Sequence, residues 1–250
     1  MTGALNKNRL MSSFQKSSNK FLLLLISADI LFILFHILRL FIRRYFPSVY
    51  ILNIFKENAF SISRDLGLAE SFQYVKEFWI ILLLTYLFIK KRELIFIILS
   101  LIFTYIFADD LLMLHETLGT DISEYFSYPQ MLGLRAHDLG EVTVYAFIGL
   151  NFFILLIFAY YRSNNELRII GRKLILLLII FGLFGGVFDI VDSLFRNYNY
   201  IHRIMNILED GGEMIVMSFI CWYVFTISSK IDKENILSSR DFVPNNLKKG

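Results

Sequence analysis

The chain has 250 residues, of which 56% are hydrophobic and 19% charged, with a formal net charge of +3. A soluble domain runs about 45–50% apolar with roughly a quarter of its residues charged, so this composition points to lipid. Phe supplies 26 residues and Pro only 3, which excludes disordered and collagen-like chains, and the single cysteine, Cys221, excludes an intrachain disulfide and a multi-cysteine metal site.

A helix crossing about 30 Å of hydrocarbon needs roughly 20 mostly apolar residues. Six stretches meet this need, at about residues 21–43, 70–89, 94–116, 138–161, 173–195 and 204–228. The expected fold is therefore an all-α polytopic membrane protein. Residues 1–20 form an N-terminal tail, 21–228 the six-helix domain and 229–250 a C-terminal tail. The first span contains Asp29 and lacks a small-residue cleavage site, so it reads as a retained helix and not a signal peptide.

In chain order, span 1 carries Asp29 and His36, seven residues apart. Residues 44–69 follow, with a short interfacial helix expected over YILNIFKENAF. Span 2 holds Glu70 and Glu77 at the same spacing, with Gln73 between them, and Lys76, like Arg39 of span 1, is expected to snorkel to the interface. Span 3 ends ADDLLMLHE, which sets Asp109 and Glu116 on one face with Asp110 and His115 beside them. Span 4 opens AHDLGE, so His137 and Glu141 share a face and Asp138 lies three residues from Glu141. Span 5 ends GGVFDIVDS, with Asp189 and Asp192 one turn apart, and Gly182, Gly185 and Gly186 read as close helix packing. His202 lies just before span 6, which contains LEDGGEM with Glu209 and Glu213 on one face and Asp210 beside them. Its two glycines permit either a close approach or a local break whose carbonyls face a cavity.

Charge sets the orientation. The loops after spans 2 and 4 and both tails hold 16 of the 25 basic residues, among them Lys16, Lys20, Lys90, Lys91, Arg92, Arg162, Arg168, Arg172 and Lys173. The positive-inside rule places that side, and both termini, in the cytoplasm. Most of the 22 acidic residues and all four histidines lie in the spans or on the other side. A charge near the bilayer centre costs roughly 2.5–3.5 kcal/mol, so carboxylates converging at one level must share protons or be neutralised by a cation.

Histidine mixed with carboxylate suits zinc, iron or manganese better than calcium or magnesium. The expected ligands are His115, His137, Asp109, Asp110, Asp138, Asp189, Asp192, Glu209, Asp210 and Glu213, with Glu116 or Glu141 as general base. Whether His36 and His202 belong to the site is left open. The HExxH pattern is absent, since His115-Glu116 is followed by TLGT, and no phosphate-cradling glycine loop lies outside the spans.

The segments SRDLGLAESFQY, DDLLMLHE, HDLGE and LEDGGEMIVMS resemble a group of uncharacterised bacterial multi-pass membrane proteins. That resemblance covers roughly residues 60–228 and implies a bacterial inner-membrane location, with no activity attached. A weaker architectural similarity, to ceramidase and adiponectin-receptor-like membrane hydrolases, implies that a metal site inside a helical bundle is chemically feasible. The HxxxH pair those proteins carry in their last helix is missing here.

Three functions are compatible with these residues. The first is a metal-dependent intramembrane hydrolase acting on a lipid or lipid-linked substrate. The second is a cation or proton-coupled transporter or channel using Asp29 and Glu213 near the midplane. The third is a sensor or assembly subunit with a structural polar cluster. Membrane lipids are the expected partners, nucleic acid is not, and a homo-oligomer stays open.

Overall fold

The backbone of the computed structural model is described for residues 2–50, 58–64, 66–131, 133–195 and 198–241, and side chains for those of this set within residues 15–233 other than Asn58 and Asn199. The chain is helical almost throughout. Among the described residues there is no strand, only an isolated bridge between Met131 and Leu134 around Gly133, whose φ is +83°. The helices are α1 (Thr2–Tyr45), α2 (Leu68–Lys91), α3 (Leu94–Leu112), α4 (Leu114–Tyr125), α5 (Ala136–Arg162), α6 (Asn165–Gly182), α7 (Asp189–Phe195) and α8 (Asn199–Asp241). A π-helical stretch, Leu183–Phe188, joins α6 to α7. The interfacial helix expected over YILNIFKENAF lies largely outside the described residues, and Asn58–Phe60 form a single 3-10 turn.

Six helical segments are long and apolar enough to cross a membrane: Gln15–Tyr45, Leu68–Lys91, Leu94–Leu112, Ala136–Arg162, Asn165–Phe195 and Tyr200–Lys233. The third ends four residues before the sequence reading placed it. Met113 adopts a left-handed conformation (φ 50°) whose N–H caps the Asp109 carbonyl, and the chain turns into α4. A left-handed non-glycine residue costs roughly 1–2 kcal/mol, so this turn must be held by its surroundings. The expected shared face of Asp109 and Glu116 is consequently lost, because the two residues sit on different helices.

Local sequence explains the other turns. Arg92 closes α2 in the left-handed region, with its N–H donating to the Phe88 carbonyl and Lys90 and Lys91 in the last turn, where cations favour the helix dipole. Asn164 starts α6 by accepting a hydrogen bond from the Leu167 N–H at 3.0 Å. Helix α4 folds back on α5 so tightly that a Cβ on Gly140 would overlap the Gly119 carbonyl oxygen. Only glycine permits that approach.

Helix α8 runs through the middle of the bundle and packs against α1, α2 and the α6–α7 segment, while α2 packs against α3. The half of the bundle nearest the basic loops is a dry core that includes Leu84, Leu87, Phe96, Leu99, Phe103, Leu174, Ile220 and Val224. The outer faces of α1, α5 and α6 stay apolar and exposed, as at Leu23, Phe147, Phe153, Leu176 and Ile179. Such faces belong against lipid chains. The polar residues collect in the opposite half.

Candidate functional site

The deepest polar group is an ion pair. Lys76 and Asp29 are both 0% exposed, and Lys76 Nζ donates to Asp29 Oδ1 at 2.9 Å. Nζ also donates to the Met214 carbonyl at 2.8 Å and to Ser218 Oγ at 3.2 Å, and Ser218 Oγ donates to Asp29 Oδ2 at 2.5 Å. The ammonium lies 5.0 Å from the centre of the Phe72 ring. Lys76 therefore does not snorkel. A carboxylate at its own depth and two further acceptors make burial affordable in a way an isolated charge never is. His36, the other polar candidate of α1, accepts from the Ile62 N–H at 3.2 Å.

Next to Lys76, Glu77 is also fully buried, and its carboxyl meets that of Asp110. Its charged neighbours are Asp110, Glu213 and Lys76. Lys76 is already engaged by Asp29, and a carboxyl pair such as Glu77 and Asp110 is matched when the two share a proton.

Above this level two cavities meet. The first, about 260 Å³, is lined by Arg64, Glu70, Gln73, Asn206 and the acids Asp110, Asp189, Asp192, Glu209, Asp210 and Glu213. The second, about 530 Å³, lies between α3, α5 and α6. Its walls are apolar, with Ile102, Ile106, Phe152, Leu178 and Phe181, and it ends at Tyr105, Asp109, Asp110, Glu141, Tyr145, Asp189 and Glu213. Asp110, Asp189 and Glu213 line both chambers. The Tyr105 hydroxyl is buried in the wall of the apolar chamber, beside Asp109.

The junction is shaped by the π-helical stretch, a form common at functional sites. A Cβ on Gly185 would overlap the Glu213 carboxylate, so the glycine makes room for that acid, while Gly182 and Gly186 have open space beside them. Glycines expected to serve close helix packing here shape a cavity instead. Of the two readings of EDGGE, a close approach or a local break, the break does not occur, because α8 is continuous through it. Its glycines receive neighbours: Gly211 faces Ile33 of α1, and Gly212 faces the Phe184 ring of the π stretch.

The other three histidines each meet a carboxylate. The backbone N–H of His115 donates to Asp109 Oδ1 at 2.8 Å, and its ring Nδ1 lies 3.1 Å from Asp109 Oδ2. The Asp109 side chain thus caps the start of α4, satisfying a backbone donor that a helix start leaves open. The His115 ring stacks on Tyr145, with centres 5.0 Å apart. Burial opposes protonation of His115, but the hydrogen bond and charge of Asp109, with Glu141 and Glu116 beyond, outweigh it and raise the imidazole above its ordinary value. His137 is held at both nitrogens, by Glu141 Oε1 at 2.8 Å and Thr120 Oγ1 at 2.9 Å. His202 Nδ1 lies 2.7 Å from Asp192 Oδ1.

The remaining candidates separate by role. Asp138 accepts from the Arg135 backbone N–H at 2.8 Å and from its guanidinium at 2.6 Å, forming the cap of α5, and this partnership holds the Arg135 guanidinium above its usual value. Glu116 lines neither chamber, whereas Glu141 lines the apolar one. Among the described residues, no three His, Cys, Asp or Glu side chains form a group able to hold one metal ion. Lys76, Tyr105 and Tyr145 are not among the expected ligands and bases, and Glu77 figured in the sequence only as one of the paired acids of span 2. Tyr105 carried a signal, since it stands one helical turn before Asp109.

Over residues 28–227 the chain matches the family described as Domain of unknown function (DUF8692). Neither the proteins of curated function nor the solved structures give a match. The match spans all but the ends of the bundle, and the chain belongs to that family.

Proposed function

We propose that this protein is an intramembrane hydrolase of a lipid or lipid-linked amphiphile, with its basic face in the cytoplasm and its acidic chamber open to the outside. The observation that carries this reading is the junction of the two chambers. A chain-sized apolar cavity ends at three carboxylates that also line a polar cavity. An amphiphile placed there has its chain in the first chamber, its head group in the second, and the bond between them beside Asp110, Asp189 and Glu213. The apolar volume falls within the range of about 300–1,000 Å³ common for ligand pockets.

Glu141 is the side chain best placed as general base. It borders the apolar chamber, is bonded to His137, and has Asp189 and His115 as charged neighbours. In the proposed reaction it takes a proton from the attacking water while the Tyr105 hydroxyl donates to the oxygen that gains negative charge. A metal-dependent version needs three donors drawn onto one ion. The carboxylates are spread and the histidines are engaged, so side-chain acid–base catalysis is the form favoured here. The transporter reading is less well supported, because Asp29 is sealed against Lys76 and an apolar core fills the half of the bundle an ion would have to leave by.

Turnover of radiolabelled bacterial lipid extract by the purified protein in liposomes tests the reading. Glu141→Gln is expected to lower turnover about 10²–10⁴-fold while leaving the thermal unfolding midpoint near that of the wild type. Undiminished turnover in Glu141→Gln would remove this residue from the mechanism.

A further inference from the structure

We infer that the substrate is a two-chain lipid of the bilayer, which enters sideways through a slot between α5 and α6 and keeps its second chain outside. This rests on the reading of the joined chambers as an amphiphile site, and it adds the class of lipid and its route. Its basis is the apolar chamber of about 530 Å³ and the place where that chamber opens. Ala146, Gly149 and Gly182 line it and are at the same time exposed on the surface of the bundle. All three lie within membrane-spanning helices, so the opening they frame faces hydrocarbon.

The helices around the slot explain why it stays open. Helix α5 packs on α3 and α4 rather than on α6. At the basic end α5 and α6 are fastened together, where Arg168 donates to the Tyr160 and Tyr161 carbonyls at 3.1 and 2.8 Å. Between that point and the acidic end the chamber separates them. Small residues on membrane helices ordinarily bring two backbones together. Here a Cβ on Gly149, Gly182 or Gly186 would meet nothing within 4 Å among the described residues, so these glycines face open space and not a neighbouring helix.

The surroundings of the slot decide what fills it. The inner walls, among them Ile102, Phe152, Leu178 and Phe181, offer no side-chain hydrogen bond to water, which needs about two to four partners. An empty chamber would forfeit the dispersion contacts of those side chains. Lipid chains already stand at its mouth, because Phe153, one turn from Gly149, and Ile179, one turn from Gly182, are both exposed. A chamber closed on all sides takes a single chain and nothing more. This slot runs up to the junction, where Gly186 adjoins the contact of Gly185 with Glu213. A lipid with its head group there can return its second chain to the bilayer along the outer faces of α5 and α6.

Photocrosslinking of the full-length protein in nanodiscs tests this. The probe is a phosphatidylethanolamine with a diazirine on one of its two chains, and mass spectrometry locates the residues it labels. In the wild type, labelling is expected at Ile102 and Ile106 inside the chamber as well as at Phe153 and Leu176 on the lipid face. Gly149→Leu and Gly182→Leu each narrow the slot. Each should lower chamber labelling at least about tenfold, one decade in occupancy, and leave labelling of the lipid face unchanged. Neither should lower the thermal unfolding midpoint, because leucine favours a helix over glycine and each Cβ enters open space. Ala146→Leu repeats the test nearer the junction without replacing a glycine. Chamber labelling that all three variants leave undiminished would overturn the slot and leave the amphiphile site standing. Labelling of the lipid face alone in the wild type would overturn the inference and remove the amphiphile site with it. Chamber labelling that the variants abolish, in a protein that hydrolyses no lipid, would support the slot and overturn only the proposed reaction.

Discussion

At the scale of single residues, the Asp29–Lys76 pair shows how a charge is carried inside the bundle. Asp29 and Lys76 have all their strong donors and acceptors matched, so their role is to tie α1, α2 and α8 together. Removing one partner of a buried pair typically costs about 3–5 kcal/mol, whereas replacing both with apolar residues is often neutral. Asp29→Asn and Lys76→Met are therefore each expected to lower stability by about that amount, and Asp29→Leu/Lys76→Met to restore most of it. Denaturation in detergent measures all three, and additive losses would show that the pair does not act as a unit. His115 provides a pH-dependent counterpart. Its raised folded-state value means that its contribution is complete below the unfolded value of about 6.5 and is lost as pH rises through the folded value. Thermal stability should fall over that rise, and His115→Gln should flatten the fall. None of these pairings was legible in the sequence beyond the residue types, because spacing within one helix says nothing of which charge faces it from another.

At the scale of elements, the sequence revealed the six spans and missed the ways in which three of them are interrupted or fastened. Spans follow from runs of apolar residues, which dominate the insertion energy. The Met113 turn follows from tertiary contacts, above all the Asp109 carboxylate reaching the start of α4, and a methionine in the left-handed region leaves no mark in composition. Glycine was visible but ambiguous. In α8 the glycines accept the side chains of neighbours, and in the π stretch Gly185 leaves space for the Glu213 carboxyl. Gly185→Ala should accordingly displace the far end of one side chain and leave the backbone in place. A loss of less than about 1 kcal/mol in stability is expected, within the range of tolerated changes, together with a marked loss of turnover. Gly140→Ala should do the reverse. Its Cβ would meet the Gly119 backbone and force α4 from α5, at a cost of about 1–3 kcal/mol or more. If Gly185→Ala instead unfolds the protein and keeps its specific activity, the π stretch is structural and not part of the site.

At the scale of the whole molecule, polarity is divided across the bundle. One half is closed by a dry core next to the basic loops, and the other holds the acids, the histidines and both chambers. The sequence exposed this division through its charge asymmetry, and it identified Asp110, Asp189, Glu141 and Glu213 as site candidates. It also assembled residues that the fold distributes among separate tasks: Asp138 caps α5, and Glu116 stays outside both chambers. Types and spacing reveal which side chains are costly in lipid. Only the fold reveals which of them have already been neutralised by a neighbour.

The proposed chamber, opening outward and receiving an amphiphile, is tested in both properties by a single cysteine. Asn206 lines the acidic chamber and is uncharged, so Asn206→Cys in a Cys221→Ser background places one thiol at its wall. In intact cells a membrane-impermeant maleimide is predicted to label this thiol from outside, and a long-chain amphiphile to slow the labelling. Labelling only after the cytoplasmic face is exposed, or at a rate that the amphiphile leaves unchanged, would contradict the account.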